Sequence, residues 1–402
     1  MRLAMLEPLR HRDFRLLWIG QTVSMLGNGL YSVALPFQIL QLGGTPLQLG
    51  TGFTVFSIAQ LLTILFGGAI VDRLPRRRVI LATDLLSAVV VGVLAALGLA
   101  RHLTIVDLYV GSAFFGAAFS FYTPAMSAIM PELMPKEVLV PGNALRGVSN
   151  QAGRILGPLF GGLVVTALGP PAGFAIDAAT FAFSFVVFLF ARPPAHEPPA
   201  PKRLLADIRE GLAFAFSVPW LWVTIIGFAI TNSFFFAGFT VALPLLIVHV
   251  LKGGAATFGL VGSAAGVGEL SGGLIVGNVR IRRLGVGVYV FSGLLGVGFA
   301  GYGLTALLPV VLLAAFGFAC SIVIANTLWE SALQKHVPRQ LMGRVNSVDN
   351  FGSYLIAPVA PIAAGALIGS TGPSPLFLVG GALAFAYWMS ALAVVRAARE
   401  LE

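Results

Sequence analysis

The sequence predicts an all-α membrane protein, with twelve transmembrane helices in two six-helix bundles related by pseudo-symmetry. Composition, the placement of the basic residues and an internal repeat predict it. Of 402 residues, 57% are hydrophobic and 10% are charged, with a mean hydropathy of +0.91. That leaves too little polar surface for a soluble chain of this length. Of the 25 Lys and Arg, 22 fall in alternate gaps between long apolar stretches, which is the positive-inside pattern of a polytopic protein.

A span needs about 20 apolar residues, and in lipid only helices and closed barrels satisfy their own backbone. The stretches here are too long for barrel strands, so all twelve read as helices. Arg2, Arg10, Arg12 and Arg15 open the first, at 14–40, a retained span with no Ala-x-Ala exit of a cleaved leader. A neutral turn at 42–46 leads to 47–71; Arg73, Arg76, Arg77 and Arg78 separate that from 79–100. After the turn at 100–105 comes 106–130, then Lys136 and Arg146 flank the start of 142–168, and a turn at 168–172 leads to 172–191. Arg192, Lys202, Arg203 and Arg209 mark the middle of the chain, where RPPAHEPPAPKR at 192–203 carries five prolines and cannot be one helix. It is read as the linker between domains 1–191 and 218–402, with LLADIREGLAFAF at 204–216 as a short amphipathic helix on the cytoplasmic surface, within a linker of 192–217. The second half gives 219–249, 256–279, 284–305, 308–333, 344–369 and 373–395, with basic groups Arg280/Arg282/Arg283, Lys335/Arg339/Arg344 and Arg396/Arg399 in alternate gaps. Seven basic segments alternating with six neutral ones put both termini in the cytoplasm. Arg101 and Lys252 are the exceptions in neutral turns, and Arg154 stands alone inside a span.

The halves repeat each other. VALP at 33–36 recurs at 241–244, GGAIVDRLPRRR at 67–78 as GGLIVGNVRIRR at 272–283, and TPAMSA at 123–128 as TLWESA at 327–332. NQAGRILGPLFGG at 150–162 is echoed by NFGSYLIAPVAPI at 350–362. Four matches in one order argue for parallel duplication, with a substrate site near the midplane between the halves, as in a rocking secondary transporter.

Gly68, Asp72, Arg73, Arg76 and Arg77 resemble the loop signature of the major facilitator superfamily, with Pro75 where that signature usually has Gly. Gly153, Gly157, Pro158, Gly161 and Gly162 resemble its antiporter motif, associated with exporters. The opening DFRLLWIGQTVSMLGNGLYSVALP is similar to the branch containing enterobactin exporters and macrolide efflux proteins, with Asn28 in place of an expected Asp. The resemblance implies export of a small, often bulky and apolar compound driven by the proton gradient. It also implies that helices 1, 4, 7 and 10 line a central cavity and that helices 5 and 8 face each other across the halves.

Physical chemistry gives these residues roles of their own. Asp72 among the arginines makes a compact charge cluster able to lock a cytoplasmic gate, whereas topogenic charge alone would not need the acid. Small residues in helix 5 admit a neighbouring helix, and Gly262, Gly266, Gly268, Gly272 and Gly273 in helix 8 are matching small residues. Pro158 is expected to bend helix 5. Asp84, Glu330, Asp349 and Asp177 lie near helix ends and are read as structural, satisfied by snorkelling or loop partners. Arg154 and Glu269 lie near the midplane and are coupling candidates, either as an ion pair or as separate cavity charges. Gln21 and Asn28 on helix 1, Phe115, Phe119 and Tyr122 on helix 4, and Asn326 and Trp329 on helix 10 are cavity candidates. An aromatic stripe can equally be packing.

The net charge of +9 follows the positive-inside bias, with no basic, aromatic-interleaved surface for nucleic acid. No phosphate-binding loop accompanies the lysines, no His-Glu-x-x-His run or ligand cluster appears, and one cysteine, Cys320, allows no internal disulfide. No ATPase engine, metal, cofactor or enzyme activity is expected. The expectation is a monomeric, proton-coupled efflux transporter of the plasma membrane for a small amphipathic or hydrophobic compound. Lysophospholipid transport and a non-transporting receptor or scaffold are the alternatives.

Overall fold

The computed structural model describes residues 4–71, 74–193, 204–279, 281 and 283–395, and every regular element among them is helical. In the first half these are α1 Arg12–Gln41, α2 Pro46–Val71, α3 Arg76–Leu99, α4 Ile105–Leu133, α5 Leu139–Leu168 and α6 Pro170–Leu189. A short α7, Leu204–Ser217, follows. Then come α8 Pro219–Val250, α9 Ala255–Asn278, α10 Leu284–Gly301, α11 Leu308–His336, α12 Met342–Thr371 and α13 Ser374–Val394. Eleven of these are long and apolar enough to cross a membrane, and the 26-residue α2 is the twelfth span of the all-α fold. The tenth helix, α10, stops at Gly301, four residues short of the sequence expectation, in a Tyr302–Gly303 turn.

Turn chemistry sets the ends. Thr45 and Gln48 satisfy each other's backbone N–H groups at the start of α2, and Thr104 and Asp107 do the same for α4. Five turns at the neutral ends of spans pass through a left-handed residue: Gly43, Arg101, Gly169, Lys252 and Gly372. The two basic exceptions to the charge map therefore occupy positions where a side chain costs about 1–2 kcal/mol. Pro36 and Pro244, equivalent in the repeat, differ in outcome. Pro36 sits inside a regular α-helix, whereas α8 relaxes to π-helical winding at Gly238–Ala242 and Leu246–Val250 on either side of Pro244.

The chain divides into two compact units, residues 1–200 with 253–263, and residues 201–252 with 264–402. In the first unit α1 packs on α5 and α6, α3 on α4 and α6, and α2 on α4. Phe14, Leu17, Ile80, Ile129, Met130 and Phe188 form a core at the end that carries the basic residues. The first turns of α9 belong here: Ser263 donates to the Ile155 carbonyl at 2.7 Å, the Ala256 amide to Thr166 Oγ1 at 3.0 Å, and Phe258 meets Phe37 edge-on.

The second unit repeats the pairings, with α10 packed on α11 and α13 and α8 against α12 and α13. Trp220, Phe228, Tyr289, Trp329 and Trp388 fill one core, and Phe235, Phe239, Phe299, Phe318 and Phe377 another. The amphipathic helix α7 docks in this unit, with Ala215 buried in the core, Gly211 against the α12 backbone at Arg344, and Glu210 paired with Arg344 at 2.6 Å.

Large apolar side chains face outward in stripes. On α3, Leu85, Leu86, Val89 and Val93 are all exposed. Such a stripe is untenable in water and is what lipid covers.

Candidate transport site

Asp72 and Arg73 lie outside the described residues, and Gly68 falls in the stretch of α2 whose side chains are not described. Arg76 and Arg77 are anchored within the first unit. Arg76 pairs with Glu132 on α4, and Arg77 Nη2 donates at 2.7 Å to the carbonyl of Leu189 at the end of α6, where the helix dipole favours a cation. Sequence reasoning looked for the acid partner next to the arginines and missed Glu132.

The helix-5 run resolves into two seams. A Cβ on Gly157 would lie 2.9 Å from Gly29 Cα, one on Gly161 2.9 Å from Leu30 Cα, and one on Gly153 3.1 Å from Met25 Cβ. Gly153, Gly157 and Gly161 thus admit α1 at backbone contact. Pro158 and Gly162 face the other way, toward Ala255, Gly259 and Gly262 at the start of α9. The expectation of one matching glycine face on helix 8 needs correction: Gly268 and Gly272 lie against the Phe316 and Cys320 carbonyls of α11.

Gln21 belongs to a buried polar chain. Its Nε2 donates to Ser184 Oγ at 3.1 Å, Tyr122 OH donates to its Oε1, and Ser184 Oγ donates to Asp84 Oδ2 at 2.7 Å. The chain crosses α4, α1, α6 and α3, and Gln21 and Asp84 are only 4% and 2% exposed. Asp84 therefore does not snorkel, contrary to the expectation; an interhelical hydroxyl satisfies it. Asp349 does not either, since it accepts from Trp329 Nε1 at 2.9 Å and from Ser353 Oγ at 3.2 Å.

Asp177 is fully buried against Gly27 and Thr180, and its Oδ2 reaches no hydrogen-bond partner among the described residues. Tyr31 OH and Ser112 Oγ lie near it in the same condition, as does Asn28 Oδ1 one turn before Tyr31. An intramembrane acid was the sequence signal for Asp84 and Asp177; Ser184 carried none.

The aromatic face of helix 4 splits. Phe115 is a packing residue, with its ring 4.6 Å from Tyr31, 5.8 Å from Phe181 and 6.1 Å from Phe56. Phe119 is exposed, and Tyr122 is tied to Gln21. Asn326 and Trp329 split likewise: Asn326 is exposed, while Trp329 is buried between Trp220 and Phe228. Phe115 and Trp329 thus leave the set of cavity candidates, because each is packed among aromatic rings inside its own unit. Arg154 is exposed in the first unit and donates to Gln151 Oε1 at 2.9 Å. Glu269 is half-buried in the second.

Beside Gln21, residues of α1, α4 and α5 including Trp18, Met25, Met126 and Arg146 line a small recess of about 10 Å³, room for about one water molecule. No group of His, Cys, Asp and Glu among the described residues is placed to hold a metal ion.

Solved structures share this architecture. A POT family transporter in complex with a thioalcohol-conjugated peptide superposes with a TM-score of 0.73 at 16% identity, covering 96% of each chain. A bacterial homologue of the iron transporter ferroportin, inward-facing, gives 0.72 at 16% identity over 94% of this chain and 98% of that one. Among curated proteins, an enterobactin exporter of Citrobacter koseri is 26% identical over 377 residues, 89% of each chain. One of Escherichia coli is 25% identical over 344 residues, 84% of this chain and 81% of its own. Residues 17–361 match the profile of the Major Facilitator Superfamily, and the chain belongs to that family as a multi-pass membrane transporter and not an enzyme.

Proposed function

We propose that the chain is a proton-coupled exporter of a small amphipathic or hydrophobic compound in the inner membrane. It works by alternating access between residues 1–191 and 218–402, joined by the 192–217 linker, as a monomer with both termini in the cytoplasm. The observation that carries the reading is similarity to exporters along 89% of both chains. The basic residues at alternate gaps support the orientation, and a sequence without a nucleotide-binding loop leaves a gradient as the energy source.

In this reading Gly68, Asp72, Arg73, Arg76 and Arg77 form the cytoplasmic gate. The helix-5 run keeps α1 and α9 close to α5 while they shift. Arg154 and Glu269 carry coupling: ionised Glu269 pairs with Arg154 and holds the outer side closed, and protonation from outside releases it. Gln21, Asn28, Phe119, Tyr122 and Asn326 face the compound.

The test is transport into proteoliposomes of a panel of fluorescent amphipathic dyes. Accumulation should follow an imposed pH gradient, collapse with a protonophore and ignore ATP. Transport that ignores the pH gradient and follows sodium refutes proton coupling. Dyes that bind without counterflow refute transport itself.

A further inference from the structure

Nine buried side-chain polar atoms reach no hydrogen-bond partner among the described residues, and four of them lie on α1, α4 and α6 of the first unit: Asn28 Oδ1, Tyr31 OH, Ser112 Oγ and Asp177 Oδ2. Asp177 is completely buried. It presses on the α1 backbone, where a Cβ on Gly27 would come within 2.5 Å of its Oδ1, and Phe174 and Phe181 lie one turn to either side of it on α6. Tyr31 OH is near it, with Ser112 next to Tyr31. Thr180 Oγ1 donates to the main-chain carbonyl of Asp177 at 2.7 Å and stands 3.5 Å from its Oδ1.

The other buried acids differ. Asp84 accepts from Ser184, and Asp349 from Trp329 and Ser353, so each is held by a neighbouring donor. Asp177 Oδ2 has none among the described residues, and no cation faces it there. On α1 its titratable neighbour is Tyr31. On α3, Asp84 is bonded at Ser184, two turns further along α6. On α4, Asp107 caps its own helix at Thr104 and Tyr109 donates to the Gln48 carbonyl. On α5, Arg146 lies by Tyr122 and Arg154 donates to Gln151. An ionised Asp177 would be an uncompensated buried charge, whereas a carboxyl that keeps its proton leaves only an unbonded polar group.

Packing does not require these polar groups. At the offset of the repeated VALP, Asn28 and Tyr31 correspond to Phe236 and Phe239. Phe239 lies among Phe299, Tyr302 and Phe318, at ring distances of 4.9 to 5.8 Å. The second unit thus fills this level with rings. In the first, the Tyr31 and Ser112 hydroxyls can each donate and accept, so they can turn to meet a carboxylate once its proton has left.

We infer that Asp177 is a proton-binding site additional to Glu269: it holds a proton while α1 is closed on it and gives that proton to water when α1 shifts, once per transport cycle. The inference rests on the proton-coupled reading for the last clause. Asp177 stands two turns into α6 from the neutral turn at Gly169, in the outer half of the span under the proposed orientation.

Dicyclohexylcarbodiimide attacks protonated carboxyl groups in apolar surroundings. Applied to the wild-type protein in phosphatidylcholine nanodiscs and read by peptide mass spectrometry, it should modify Asp177, with labelling falling several-fold as the pH is raised and unchanged when sodium replaces choline. In the proteoliposome dye assay, the logarithm of steady-state accumulation is plotted against the imposed pH difference. Each coupled proton contributes about tenfold per pH unit, so Asp177→Asn should lower the slope by one proton. A merely structural defect slows the approach to steady state and leaves the slope alone. Absence of labelling, labelling indifferent to pH, protection by sodium, or an unchanged slope in Asp177→Asn would overturn this inference and leave the coupled reading standing. A wild-type slope of zero would refute the coupled reading, and the inference with it.

Discussion

Replacing Gly29 by alanine tests whether the helix-5 glycines hold α1 by backbone contact. The new methyl would lie 2.5 Å from the Gly157 carbonyl carbon and 3.0 Å from Pro158 N. Carbon pairs are comfortable at about 3.5–4.0 Å, so the shortfall is roughly 1 Å, against main-chain atoms that cannot rotate aside. Overpacking of this kind costs about 1–3 kcal/mol, and a backbone obstacle puts it at the upper end. Alanine gains back about 1 kcal/mol of helix propensity. The net loss is about 2 kcal/mol, which at about 2–4 °C per kcal/mol for a domain of 150–250 residues lowers Tm by about 4–8 °C. Thermal unfolding in detergent, followed by intrinsic fluorescence, reads this against Gly147→Ala, which meets no atom within 4 Å and keeps the propensity gain. Transport should fall in parallel, because α1 can no longer seat on α5. A Gly29→Ala protein as stable as Gly147→Ala would show that the close approach is not what the glycines are for.

Ser184→Ala leaves Asp84 Oδ2 and Gln21 Nε2 without their buried partner and should cost about 1–3 kcal/mol, whereas Ser112→Ala removes a buried hydroxyl within hydrogen-bond distance of no partner among the described residues and should cost less; equal Tm values for the two would refute the distinction. Asp72→Asn should impair transport while the protein still inserts, and cysteine crosslinks near the basic helix ends should report a more open inner face; unchanged crosslinking with normal transport removes Asp72 from the gate. Arg154→Gln and Glu269→Gln should each harm transport and thermal stability more than the double variant, since breaking the proposed pair leaves a lone charge in low dielectric; strictly additive losses would return both to separate roles.

The helices and their order were legible because the bilayer writes its thickness into the length of every apolar run. Lateral partners leave no such mark. Gly161 and Gly162 are adjacent and chemically identical, yet one meets α1 and the other α9; a rotation of about 100° per residue separates their neighbours. Glu132 lies 56 positions beyond Arg76, a distance no local pattern spans.

Hydroxyls were the least readable, because a Ser or Thr in a membrane helix ordinarily bonds its own preceding turn. Thr224, Thr231 and Ser233 do so here, donating to Trp220, Gly227 and Ala229 carbonyls. Ser184 instead donates to Asp84, and Ser149 accepts from Trp18 on another helix. In sequence the two kinds look alike. In three dimensions Ser184 sits beside Asp84, because an intramembrane charge demands polar neighbours and a hydroxyl is the smallest group that can meet the demand without a further charge, whereas Ser263 and Ser120 leave their own helices for a carbonyl and a hydroxyl.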